Sequence, residues 1–198
     1  MGVKSGLYFL SPAQHFPRFP FTLFVRRTLA IPDTLRGLTN LRIACQTSEI
    51  PSHGPCVVVG NAARWSWVET HALQPFDCQI IDEAFQLPDY RFQQIAGLAH
   101  RLVLVGDPEQ LAPVVSYEIE RWRCDPAGPH IACPRALVAR HPGLLRLSLP
   151  VSRRLVPDTI QIVQPAFFPD LPFTALSAPE ARRLMAGVAG TTPLDQPK

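Results

Sequence analysis

Apolar positions come in short runs separated by stretches of mixed polarity. Residues 41–46 (LRIACQ), 56–60 (CVVVG), 77–81 (DCQII), 101–105 (RLVLV) and 144–149 (LLRLSL) each hold three or more apolar residues in near-continuous order. Runs of this kind suit strands covered on both faces, as in a parallel sheet. Between the third and fourth lies 89–100 (DYRFQQIAGLAH). There Tyr90, Phe92, Ile95, Ala96 and Leu98 give a partly apolar helical face, and Pro88 suits a first turn. Strand, a dozen residues of helix, then strand is a βαβ unit, which predicts that the two strands run parallel. Residues 22–30 (TLFVRRTLA) read as an earlier helix, with Arg26 and Arg27 on its surface, and 134–140 (PRALVAR) as a later one. The alternation predicts an open α/β sheet. The Pro/Phe-rich stretch 12–20 fits no element. A short helix is expected around 179–186, and the tail 189–198 is expected to lack fixed structure.

Composition narrows the class. The chain has 198 residues, 46% hydrophobic and 18% charged, enough apolar material for a core. No apolar run approaches the ~18–20 residues needed to span a bilayer, so a membrane protein is not expected. Prolines break the apolar run that follows Lys4, so no secretory signal is expected and the cytoplasm is the expected compartment. Proline is 22 of the 198 residues, against an ordinary ~5%. Glycine and proline together still fall short of low complexity, so the prolines punctuate a folded chain. Of the 19 basic residues only Lys4 and Lys198 are lysine. Arginine suits phosphate recognition through its planar fork; a GC-rich codon bias gives the same composition. A net charge of +3 does not by itself argue for nucleic-acid binding. Five cysteines, an odd number, point to free thiols in a reducing compartment. Cys45, Cys56 and Cys78 lie in apolar runs and are expected in the core. Cys124, His130, Cys133 and His141 have no compact zinc-ligand spacing.

Two stretches carry chemistry. In 78–86 (CQIIDEAFQ) an apolar run ends in adjacent acids, Asp82 and Glu83. Desolvating charge is expensive, so two acids at the tip of a buried strand need a reason. The carboxyl ends of strands form the ligand crevice of an open α/β sheet. One carboxylate there can hold magnesium through water, and its neighbour can polarise an attacking water. Solvated acids at a strand end are the bland alternative. In 103–114 (VLVGDPEQLAPV) a second apolar run ends in Gly106 and Asp107, followed by a loop carrying Gln110. Gly106 permits close backbone approach, and Pro108 and Pro113 stiffen the loop. A rigid loop beside the acids can set the Gln110 amide against a terminal phosphate or an attacking water.

Together these stretches resemble the superfamily 1 DNA helicases of the P-loop NTPase class. IIDEAFQ is similar to their magnesium-binding motif II. VGDPEQLAPV is similar to their motif III, GDxxQLPPV, with Ala112 in place of the first proline. Residues 149–154 (LPVSRR) resemble motif IV, an L-x-x-[NQ]-Y-R pattern, with Ser152 and Arg153 in place of the amide and the aromatic. Residues 57–69 (VVVGNAARWSWVE) look like a segment that lines the nucleic-acid path in some bacterial helicases. The resemblance covers residues 22–170 and implies a RecA-like domain with a mostly parallel sheet, flanked by an atypical segment 1–21 and an extension 171–198. It implies ATP and Mg²⁺ as cofactors. By it, Asp82 holds the metal, Glu83 activates water, Gln110 senses the γ-phosphate and Arg154 stabilises its charge. Asp107 and Gln86 take part in binding the nucleotide. Single-stranded DNA or another nucleic acid is the implied partner. Arg64 and Trp65 are candidates to contact it, because an aromatic face beside an arginine can stack an unpaired base. Core packing is the alternative for Trp65, and the preferred reading for Trp67.

The family's phosphate-cradling motif, GxxxxGK[ST], is absent from the sequence. Residues 6–11 (GLYFLS) stand where its strand belongs, but the following SPAQHFPRFP lacks the glycines and lysine. About 40 residues after Arg154 cannot encode a second motor domain. The expectation is therefore a helicase-like fragment, truncated, split or decayed and inactive alone. It would depend on a separate chain for the phosphate loop and second domain. A non-catalytic nucleic-acid-binding or protein-interaction module on the same fold is the alternative.

Overall fold

A computed structural model describes residues 18–152 and 155–175. The expected helix at 179–186, the tail and residues 6–11 lie outside the described residues. The chain divides into two compact units, one ending at Gly143 and the other beginning at Leu144. The domain expected over residues 22–170 spans both.

The first unit is mixed α/β with short parallel strands in small sheets. Strands β1 (Phe21–Phe24), β2 (Leu41–Ala44) and β3 (Val57–Val59) form a parallel sheet in the order β2–β1–β3. β1 replaces the helix expected over 22–30. All four of its residues are buried. An uninterrupted buried run has no polar face from which to tell a helical period, and Phe21, Thr22 and Phe24 are good strand formers. Arg26 and Arg27 are exposed just beyond β1 rather than on a helix.

The second sheet pairs β4 (Gln79–Ile81) with β5 (Leu102–Leu104), in parallel as the βαβ spacing requires. Among the described residues of this unit four short α-helices accompany the strands: α1 (Asp33–Arg36), α2 (Ala62–Trp65), α3 (Asp89–Ile95) and α4 (Cys133–Arg140). α3 follows Pro88 and passes into a 3₁₀ turn at Ala96–Leu98, so the helix expected over 89–100 is α-helical only as far as Ile95. Phe92, Ile95 and Leu98 from this segment join Ile81, Phe24 and Trp65 in the main core.

An ion pair ties α3 to α4. Asp89 is buried and accepts two hydrogen bonds from Arg140, Nη2 to Oδ1 at 2.6 Å and Nη1 to Oδ2 at 2.9 Å. The hydrogen bonds to Asp89 hold the Arg140 guanidinium above its ordinary pKa. The first turn of α4 is fastened as well. Cys133 N–H donates to the Leu87 carbonyl at 2.8 Å, and its Sγ lies 3.4 Å from the Ala84 carbonyl. Cys133 is thus the fully buried cysteine. Cys45 and Cys56 are half-buried and Cys78 is exposed, contrary to their expected place in the core. The strands carrying them are only three or four residues long, and each cysteine lies just outside its strand.

In the second unit β6 (Val151–Ser152) pairs in parallel with β7 (Thr174–Ala175), and α5 (Pro157–Phe167) lies between them in sequence. The strand expected over 144–149 does not form, and Leu145, Leu147 and Leu149 are exposed. A strand needs a neighbour to complete its hydrogen-bond ladder, and no described residue pairs with this segment. Among the described residues no helix is long and apolar enough to cross a membrane.

Candidate nucleotide site

The acids stand where β4 ends. Asp82 follows Ile81 directly, and both Asp82 and Glu83 are exposed. Glu83 has φ 54° and ψ 38°, the only positive φ of a non-glycine among the described residues. An L-residue held left-handed costs about 1–2 kcal/mol. The turn that imposes this is fixed on both sides. Ala84 N–H donates to the Val105 carbonyl at 2.8 Å, and Gln86 N–H donates to the Glu83 carbonyl at 2.9 Å.

The glutamine loop meets that turn. Gln86 Nε2 lies 3.1 Å from Gln110 Oε1 and 3.4 Å from Glu83 Oε2, so one amide joins the two stretches. Gly106 lets them approach. A Cβ there would meet the Ala84 nitrogen at 3.0 Å and the Phe85 ring at 3.1 Å, closer than carbon packs without a shift. Asp107 turns its side chain back on its own loop, accepting from Glu109 N–H at 2.9 Å. Arg135 of α4 donates to the Pro108 carbonyl at 2.5 Å. A helix therefore secures both loops, through Cys133 on one and Arg135 on the other.

Five of the sequence-derived residues thus gather at one end of the β4–β5 pair: Asp82, Glu83, Gln86, Asp107 and Gln110. Arg154 lies outside the described residues. Arg64 and Trp65 stand elsewhere and face inward. Trp65 is 8% exposed, with ring centroids 5.0 Å from Phe24 and 5.8 Å from Phe76. Arg64 lies over the Phe24 ring at 4.3 Å and donates to the Cys45 carbonyl. Trp65 is buried against those two rings and turns no open face to a base, while Arg64 is half-buried. The VVVGNAARW segment has a packing reason instead. A Cβ at Gly60 would come within 2.8 Å of Trp65 Nε1, and the Asn61 side chain caps α2 at Arg64 N–H. Trp67, assigned by preference to the core, is 74% exposed. Trp65 ends α2 and Trp67 lies in the turn just after it, and their spacing alone does not say which ring turns inward.

The residues suit the metal end of a nucleotide. Magnesium keeps most of its water and takes one or two carboxylates together with phosphate oxygens, which adjacent exposed acids can supply. Among the described residues no three acids, histidines or cysteines converge as a closed metal cage. The residues do not suit the triphosphate itself, because no glycine-rich loop with its lysine occurs in the sequence. In comparisons with known proteins, no family model and no curated sequence matches the chain.

Proposed function

We propose that this chain is part of the first motor domain of a superfamily 1 helicase-like ATPase, inactive alone. It would supply the metal-holding and water-orienting half of a nucleotide site. The observation that carries the reading is the Gln86 amide set between Glu83 and Gln110, with Gly106 admitting the contact. Asp82 would hold a hydrated Mg²⁺, which when bound neutralises phosphate charge. Glu83 would accept a proton from water, and Gln110 would orient that water through its amide. The triphosphate cradle and the second motor domain would come from residues outside this sequence, and single-stranded nucleic acid would be the track.

Titration with a fluorescent ATP analogue tests this. The expected result is weak binding that requires Mg²⁺, is lost in Asp82→Asn and gives no turnover. Binding indifferent to Mg²⁺ and to Asp82 contradicts the reading, as does hydrolysis by the isolated chain at an ordinary motor rate. The exposure of Trp67 favours a second reading, a non-catalytic module that holds nucleic acid. Under it, binding to a single-stranded oligonucleotide falls in Trp67→Ala and ignores Mg²⁺-ATP.

A further inference from the structure

The glutamine loop is lightly held. From Gly106 to Ser116 its hydrogen bonds to the rest of the unit, among the described residues, run only through the Gln110 side chain and the Pro108 carbonyl. Leu111 and Val114 are 84% and 95% exposed, so their packing adds little. The Gln110 bond joins two exposed side-chain amides, each with rotamer freedom to lose. The Pro108 bond comes from Arg135 Nη2 at 2.5 Å, and a charged donor makes the stronger bond. Arg135 stands on a fixed base, because α4 is tied at Cys133, buried at Ala136 and paired at Arg140 with Asp89. The constraint passes along the loop. Fixing the Pro108 carbonyl fixes the peptide plane that leads into Glu109. Asp107 closes the turn, accepting from Glu109 N–H at 2.9 Å on its carboxylate and from Gln110 N–H at 3.3 Å on its carbonyl. Gln110 then lies where the Gln86 amide meets it. Arg135 also breaks a local rule. It lies in the first turn of α4, just after Pro134, with no acid in that turn. The helix dipole disfavours a cation there, so helix stability does not account for an arginine at this position.

We propose that Arg135 is a positioning residue for Gln110. Its bond to the Pro108 carbonyl keeps the Gln110 amide beside Gln86, where a terminal phosphate would meet it. What Gln110 does there rests on the function proposed above; where the loop is held rests on the hydrogen bonds alone.

Backbone amide relaxation of the full chain, measured by NMR, tests this. The amides of Asp107, Glu109 and Gln110 should have order parameters of about 0.85, like those of α4. In Arg135→Met, which keeps an apolar stem and removes the donors, they should fall below about 0.6, while Ala84–Gln86 and α4 stay rigid. Arg135→Lys, which keeps a charged donor, should restore most of the order. A fluorescent ATP analogue should bind about three- to tenfold more weakly to Arg135→Met, the loss of one hydrogen bond. The matching ADP analogue, which lacks the phosphate that Gln110 would meet, should bind as before. Order parameters unchanged in Arg135→Met overturn the proposal, as does a wild-type loop already below about 0.6. Loosening that spreads to Ala84–Gln86 and α4 overturns it, because Arg135 then serves the fold as a whole. So do an Arg135→Lys loop as loose as that of Arg135→Met, and ATP and ADP analogues weakened alike. Ordering by Arg135 with no Mg²⁺-dependent nucleotide binding in the wild-type chain would leave the positioning role standing and remove the ATPase reading.

Discussion

Glu83 combines an exposed carboxylate with a left-handed backbone, a conformation that glycine adopts without cost. Glu83→Gly should therefore raise stability by about 1 kcal/mol, seen as a higher Tm, while removing the group assigned to water activation. A lower Tm would mean that the carboxylate itself holds the turn. Burial pushes the Cys133 thiol up to about 12, and the nearby Asp89 charge adds to the rise. Thiols react as thiolates, so at pH 8 an alkylating reagent should modify the exposed Cys78 and Cys124 and spare Cys133 until the chain unfolds. Mass mapping of the modified peptides checks this. The sign for stability follows the same shift. The neutral thiol is favoured in the fold, so its contribution is complete below pH 9 and is lost as pH rises toward 12. At this scale the sequence marked candidate residues and was poor about orientation. Asp82, Glu83 and Gln110 declared themselves by charge and amide at strand ends. Trp65 and Trp67 did not declare which ring faces inward, because that depends on Phe24 of β1 and on Phe76, neither of which is a near neighbour in sequence.

At the scale of elements, α4 fastens the site. Its Arg140 pairs with buried Asp89 while Cys133 and Arg135 reach the two loops. Removing one partner leaves an uncompensated buried charge, which costs about 3–5 kcal/mol. Arg140→Ala should destabilise the first unit by that order in urea unfolding. A change under ~1 kcal/mol would show that the pair is not holding the helix. Gly106→Val should separate the loops and cost about 1–3 kcal/mol, read in the same assay. The βαβ unit around α3 was legible because its two strands, its helix and Pro88 follow a local pattern. β1 was not, because a run buried on every side carries no polar period. The 144–149 segment shows the converse. Its alternating leucines satisfy the strand pattern, yet a strand is a property of two segments, and no described residue supplies the other.

The whole molecule is two compact units with an exposed stretch at the boundary, where residues 141–150 lie open. Arg146 sits within it, so brief trypsin treatment should cut there before it cuts at Arg64 in the first unit. An early cut at Arg64 would contradict the packing of Arg64 on Phe24. The gathering of acids and glutamine at one end of the β4–β5 pair was readable from the sequence because both stretches follow adjacent strands of one local unit. The place of residues 144–149 was not, since it depends on segments far away in the chain.

Paramagnetic broadening by Mn²⁺, a stand-in for magnesium, tests most directly whether the acid pair and the glutamine loop share one pocket. At millimolar Mn²⁺ the amides of residues 82–86 and 107–110 should broaden together, and Asp82→Asn should abolish both effects. Broadening confined to one of the two loops, or unchanged by Asp82→Asn, would contradict the shared site.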